Sequence, residues 1–188
     1  MTVTRFLLSM PLLAVLGCAT TESAAPTAAK PKAPSRPTVP AAIEAPATAT
    51  LVVQLSAKGT QNYRCQATSA SAAEWKLVAP EAELFRAAEP GGDLAGTHGA
   101  GPTWTLKDGS GAKGDGANAK RAASPEAGSI PWLLLPAQSN GQAGELQGVT
   151  LVQRIETKGG IAPAGGCDSG SVGAETKVPY TAIYVFYR

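Results

Sequence analysis

The sequence predicts an all-β fold: a single-domain antiparallel β-sandwich or small closed barrel, placed after a signal peptide and a disordered Pro/Ala-rich linker. Three observations predict it. Apolar and polar residues alternate with a period of two in several segments, as a half-buried strand requires. Gly- and Pro-rich stretches separate those segments. No stretch after Thr50 combines a helical period with capping residues. The 188 residues divide into a leader over 1–17, a cysteine plus linker over 18–49, and a β-rich body over 50–188.

The elements are read in order. Leu51, Val53 and Leu55 alternate with Val52, Gln54 and Ser56, and Lys58-Gly59 is expected to turn the chain into a hairpin partner carrying Tyr63 and Cys65. Residues 74–78 alternate again and are expected to stop at Pro80, because proline cannot donate to a ladder. The Ser71-x-x-Glu74 pair could cap a helix, but Pro80 leaves room for little more than one turn. Residues 103–107 run into Asp108-Gly109, whose tolerance of positive φ marks a hairpin turn. Residues 109–123, rich in Gly, Ala and Lys, read as a mobile edge loop. Residues 130–135 form a continuous apolar run, expected of a strand buried on both faces or at a corner. Val149, Leu151, Gln153 and Ile155 alternate with Thr150, Val152, Arg154 and Glu156. At the carboxyl end Tyr180, Ala182, Tyr184 and Phe186 share one face, and Thr181, Ile183, Val185 and Tyr187 the other.

The leader has the parts of a secretory signal, with Arg5 before an apolar run over residues 6–16 that is too short to span a bilayer. Val15-Leu16-Gly17-Cys18 resembles the bacterial lipobox, which implies acylation of Cys18; the alternative is ordinary cleavage near Ser23-Ala24-Ala25. More than one acyl chain holds a protein to a membrane where a single chain does not. In a cell with two membranes, Ala19 after the cysteine implies the outer one, with the body facing the periplasm or the cell surface. Pro, Ala, Ser and Thr dominate residues 19–49, with only Val39 and Ile43 as branched aliphatics, so the segment is expected to stay disordered.

Acidic and basic side chains balance in residues 50–188, which leaves no electrostatic footprint for nucleic acid. Apart from Cys18, two cysteines remain, and in an oxidising compartment Cys65 and Cys167 are expected to pair. Such a link closes on the order of a hundred residues and stabilises by about 4–5 kcal/mol. The alternatives are two buried thiols or a soft-metal pair, and the latter needs more ligands than one histidine supplies.

The body also resembles a family known as a domain of unknown function, number 3455, found in exported bacterial and fungal proteins. The matching pieces are Asn62-Tyr63-Arg64-Cys65, Trp75-Lys76-Leu77, Pro80-Glu81-Ala82, the stretch from Gly96 through His98 to Trp104, and Asp108-Gly109-Ser110. They continue with Ile130-Pro131-Trp132, Val152-Gln153-Arg154, Gly159-Gly160, Gly166-Cys167-Asp168 and Val178-Pro179-Tyr180. The resemblance covers nearly the whole body and implies no mechanism. Some fungal members are labelled malate dehydrogenase. Gly109-Ser-Gly111-Ala-Lys-Gly114 does spell the dinucleotide fingerprint, but no helix opens after it and no βαβ unit fits, so no cofactor is expected.

Other motifs carry weaker signals. Cys167-Asp168-Ser169-Gly170 looks like the nucleophile motif of trypsin-like proteases, yet the body is too short for their two barrels. His98, the only histidine, could act with Asp108 or Asp168 in acid–base chemistry, or could hold a turn by bonding a carbonyl. Trp104, Trp132 and Tyr180 could present a ligand-binding platform or fill the core. Arg64 and Arg154 are assigned to the polar faces of their strands, solvated or paired with neighbours such as Glu156. The expectation is a non-catalytic binding or surface module of the envelope, whose partners are the membrane and possibly an envelope polysaccharide or protein. The alternative is an envelope hydrolase built on His98. No metal site is expected. A hydrolase requires His98 in a cleft beside a carboxylate, whereas a binding module requires accessible aromatic surface.

Overall fold

The computed structural model describes residues 1–2, 35–86 and 90–188. The leader, Cys18 and the first part of the expected linker lie outside the described residues. The body is all-β, as expected. Its strands are β1 (Leu51–Ala67), β2 (Ala73–Phe85), β3 (Leu94–Gly99), β4 (Thr103–Leu106), β5 (Gly111–Gly114), β6 (Lys120–Ala122), β7 (Trp132–Ser139), β8 (Leu151–Gly159) and β9 (Glu175–Tyr187). They form one antiparallel sheet in the order β5-β4-β3-β2-β1-β9-β8-β7-β6. A β5–β7 pairing, from Ala112↔Ser139 to Gly114↔Ala137, closes the sheet into a ring. β6 pairs with the other end of β7, at Trp132 to Leu134, so β5 and β6 follow one another along a single edge of that strand. Of the two architectures expected, the closed barrel is the one that forms.

Alternation places the core. Val53, Leu55, Ala57, Leu84, Trp104, Leu106, Leu135, Val152, Tyr180, Ala182, Tyr184 and Phe186 fill the interior. The opposite face of the last strands is covered as well. Leu134, Ile155, Val185 and Tyr187 form a second cluster with Ile43 and Ala45. Residues 35–49, placed in the linker from composition, lie along this face as a strap. A single 3-10 turn, Ala41–Ile43, buries Ile43 completely. Gln153 Nε2 donates to the Ile43 carbonyl at 2.7 Å, and Gln54 Nε2 to the Ser35 carbonyl at 2.7 Å. Composition argued for disorder here, but Ile43 and Ala45, with Val39 and Ala49 beside them, meet a ready-made apolar face.

Three further expectations are corrected. Lys58-Gly59 is not a turn, since β1 runs straight through it. Gly59 is needed instead because a Cβ there would collide with the Glu81 carbonyl and the Ala82 Cα of the neighbouring strand. Pro80 does not end β2. It pairs with Gln61 of β1, while β3 joins the other edge of β2 only from Ala82 onward, so the missing N–H faces an unpaired edge. Residues 109–123 contain β5 and β6 rather than one mobile loop. The Asp108-Gly109 hairpin forms as expected, with Gly109 at φ 84°.

Cys65 and Cys167 form a disulfide with Cα atoms 5.4 Å apart. It fastens the segment between β8 and β9 to β1. Tyr63 Oη donates to the Gly160 carbonyl at 2.6 Å and Trp75 Nε1 to the Gly165 carbonyl at 2.9 Å, which fix the same segment at two further points. The disulfide is consistent with an extracytoplasmic protein.

Candidate functional site

A cavity of about 490 Å³ opens at one mouth of the barrel. Its inner wall is made by inward-facing residues of neighbouring strands: Gln61 and Tyr63 of β1, His98 of β3, Trp104 of β4, Leu133 and Leu135 of β7, Arg154 of β8 and Tyr184 of β9. Leu77 and Val78, each about half exposed, form part of its rim on the stretch of β2 that has no outer partner. Arg121 lies on the opposite rim and donates to the Ala119 and Gly116 carbonyls at 3.1 Å each.

His98 is placed by register. It pairs with Trp104 across β3 and β4, so both side chains leave the same face of the sheet. The rings stack with centroids 4.6 Å apart and an interplanar angle of 7°, and Tyr184 closes over the imidazole at 4.8 Å. Nδ1 lies 2.8 Å from the Thr103 carbonyl. Only a donor satisfies a carbonyl, so the proton is assigned to Nδ1 and Nε2 is left as an acceptor. Burial drives the imidazole pKa down from 6.5 to about 4; the Thr103 bond opposes this, and the nearby Arg154 charge adds to it. His98 is therefore a neutral, held ring.

That neutrality has a measurable consequence. Between about pH 6.5 and pH 4 the unfolded chain takes up a proton on His98 that the folded barrel refuses. The unfolded state then binds more protons, and stability falls as the pH drops. From pH 7 to pH 4 this one group is expected to remove about 3 kcal/mol. Urea unfolding of the native protein and of His98→Gln at both pH values checks it: the native loss should exceed the variant's by that amount. At pH 7 the bonded, buried ring makes His98→Ala cost about 1–3 kcal/mol.

The carboxylates considered as partners of His98 are engaged elsewhere. Asp108 Oδ1 accepts from the Ser110 N–H at 2.9 Å and the Ser110 hydroxyl at 2.6 Å, and Oδ2 accepts from the Glu145 N–H at 2.9 Å. The Ser110 bonds, chiefly, hold its carboxyl below the usual range. Asp168 accepts from the Ser171 hydroxyl and the Gly170 N–H in an exposed turn, and it too is held low, first by Ser171. Ser169 lies in that same exposed turn. Neither carboxylate lines the His98 cavity. Among the described residues, no three His, Cys, Asp or Glu side chains gather as a metal site would require.

The aromatic candidates separate as well. Trp104 is buried but reaches the cavity wall. Tyr180 is buried in the interior, where its hydroxyl lies 3.3 Å from that of Tyr184. Trp132 packs on the outer face with the strap cluster. The three form no common platform. Arg64 is solvated and pairs with Glu175 at 2.6 Å, as assigned. Arg154 is not on a solvated face: it shares the inward face of β8 with Val152 and lines the cavity. Sequence reasoning missed it because a strap covering the outside of β8 makes Leu151, Gln153 and Ile155 the outer set.

No curated protein and no solved structure matches this chain. One family model does, across residues 46–188, and with the barrel, its disulfide and its mouth falling inside that span, the chain belongs to the family described as "Protein of unknown function (DUF3455)".

Proposed function

We propose that this protein is a non-catalytic binding module of the cell envelope: exported, held to the outer membrane by acyl chains on Cys18, and taking a small molecule into the mouth of its barrel. The observation that carries the reading is the cavity. A space of about 490 Å³ walled by aromatic and aliphatic side chains, with a few convergent polar groups, has the size and character of a small-molecule site. Barrels of about eight strands have an interior that side chains fill or that holds one small ligand. Here the deep part is filled by Phe186, Leu55 and their neighbours, while the mouth stays open. A small molecule fits better than an envelope polysaccharide or protein face, because Trp104 and Tyr180 are buried and Trp132 is engaged by the strap. Hydrolysis through His98 with Asp108 or Asp168 gains no support, since the imidazole has no carboxylate beside it.

Equilibrium dialysis of the full chain against naphthalene-2-carboxylate and its neutral amide checks the reading. At least one is expected to bind saturably at a single site. Ala119→Trp, which hangs an indole over the rim, is expected to weaken that binding by about tenfold or more while leaving the far-ultraviolet circular dichroism unchanged. Absence of saturable binding by either compound, or binding indifferent to Ala119→Trp, would refute it.

A further inference from the structure

The polar groups of the cavity share a bias. Its lining carries two guanidinium groups, Arg154 and Arg121, and no Asp or Glu. Arg154 points inward from β8. Its Nε and Nη2 donate to the Pro131 carbonyl at 3.3 and 2.8 Å, and its side chain lies against the Tyr184 hydroxyl. Both are dipoles, so neither neutralises it. Among the described residues the ion pairs join Arg64, Lys76, Arg86 and Lys177 to carboxylates; Arg154 has none.

Gln61 lines the same cavity and is 2% exposed, but its Nε2 lies beside the Tyr180 hydroxyl and is closed off from the opening. A half-buried cation without a counter-charge calls for an anion. A bound oxyanion supplies one. The remaining wall is the Trp104 ring and the apolar side chains of Leu77 and Leu135, which suit a flat, apolar body.

We infer that the ligand is a small organic monoanion, a carboxylate on a flat apolar body, with its head held by Arg154 and its body against Trp104. The inference rests on the small-molecule reading of the cavity and names the chemistry that cavity selects. A planar guanidinium fork meets a carboxylate with two parallel bonds, which a lysine cannot reproduce.

Calorimetric titration of the full chain with naphthalene-2-carboxylate and with naphthalene-2-carboxamide tests it. The two probes share size and shape and differ in charge. The carboxylate is expected to bind at least about tenfold more tightly. Arg154→Gln should erase that preference, and Arg154→Lys should keep only part of it. Equal affinities in the native chain, binding of the carboxamide alone, or a preference that survives Arg154→Gln would overturn the inference while leaving the small-molecule reading intact. Failure of both probes removes that reading and the inference with it. The native-chain comparison and Arg154→Lys decide the matter even if Arg154→Gln does not fold.

Discussion

Replacing Cys65 and Cys167 together by serine is expected to remove about 4–5 kcal/mol of stability, the largest effect of any single covalent change in this barrel. The bond links positions 102 residues apart, and closing a loop of that size restricts the unfolded chain strongly in the chain-entropy model. Little else offsets the loss. The segment between β8 and β9 is fixed to β1 and β2 by the Tyr63 and Trp75 hydrogen bonds and by the Cys65 backbone, whose N–H donates to Ala174 at 2.8 Å and whose carbonyl accepts from Gly173 at 2.9 Å. Each such bond contributes about 1 kcal/mol, and all of them form only once the segment has been brought home. A domain with a total stability of about 5–15 kcal/mol would become marginal. Urea unfolding at pH 7 checks it, on the double variant and on native protein treated with dithiothreitol, and the two should agree. A loss under about 1 kcal/mol in both would mean that the segment orders itself without the covalent link.

How far the fold could be read from the sequence depended on whether a residue's neighbours were local. The two faces of β9 were legible because alternation at period two has one meaning when both faces carry large side chains: Tyr184 and Phe186 enter the interior while Val185 and Tyr187 meet the strap. The strand through Leu133, Leu134 and Leu135 was legible as buried on both sides for the same reason. The Asp108-Gly109 hairpin was legible because its cause, a left-handed glycine, sits within the turn. Gly59 and Pro80 misled because the same residue types serve a second purpose. Gly59 makes room for a neighbouring strand, and Pro80 sits where an edge has no partner, and neither neighbour is close in sequence. Which of the two expected architectures forms was beyond reach, since closure depends on β5 meeting β7 in register.

The site followed the same rule. His98 stood out as a lone histidine among small residues, and both of its considered roles were partly legible: it holds a turn carbonyl, and it lines an opening. Its candidate carboxylate partners were named by residue type, and Asp108 and Asp168 turned out to brace their own turns. Arg154, the charge on which ligand selection is inferred to rest, carried no local signal. It became visible only when the barrel turned it inward and left its charge without a matching group.

Trp104→Ala is expected to destabilise the barrel by about 3–5 kcal/mol, the range for deleting a fully packed indole. The ring is 2% exposed, with part of it at the cavity wall. His98 stacks on one face, Tyr184 and Phe186 meet it edge-on with centroids 5.4 and 5.9 Å away, and Gly114 leaves the space its six-membered ring occupies. A Cβ at position 114 would lie 3.1 Å from the ring and 2.5 Å from a Leu135 methyl, so the indole fits only beside a glycine. Nε1 has no hydrogen-bond partner, which means that the loss is one of packing and not of a bond. Trp104→Phe, which removes the unpaired N–H and keeps a stacking ring, should accordingly cost much less than Trp104→Ala. The second readout is electrostatic. Without the indole, water reaches the His98 imidazole, the burial that depresses its pKa weakens, and its proton affinity moves back toward the ordinary value near 6.5. The acid-induced loss of stability between pH 7 and pH 4 should therefore shrink in Trp104→Ala although the protein is weaker throughout, while Trp104→Phe keeps most of it. Parallel curves for native protein and Trp104→Ala would mean that the stacked indole is not what keeps His98 dry.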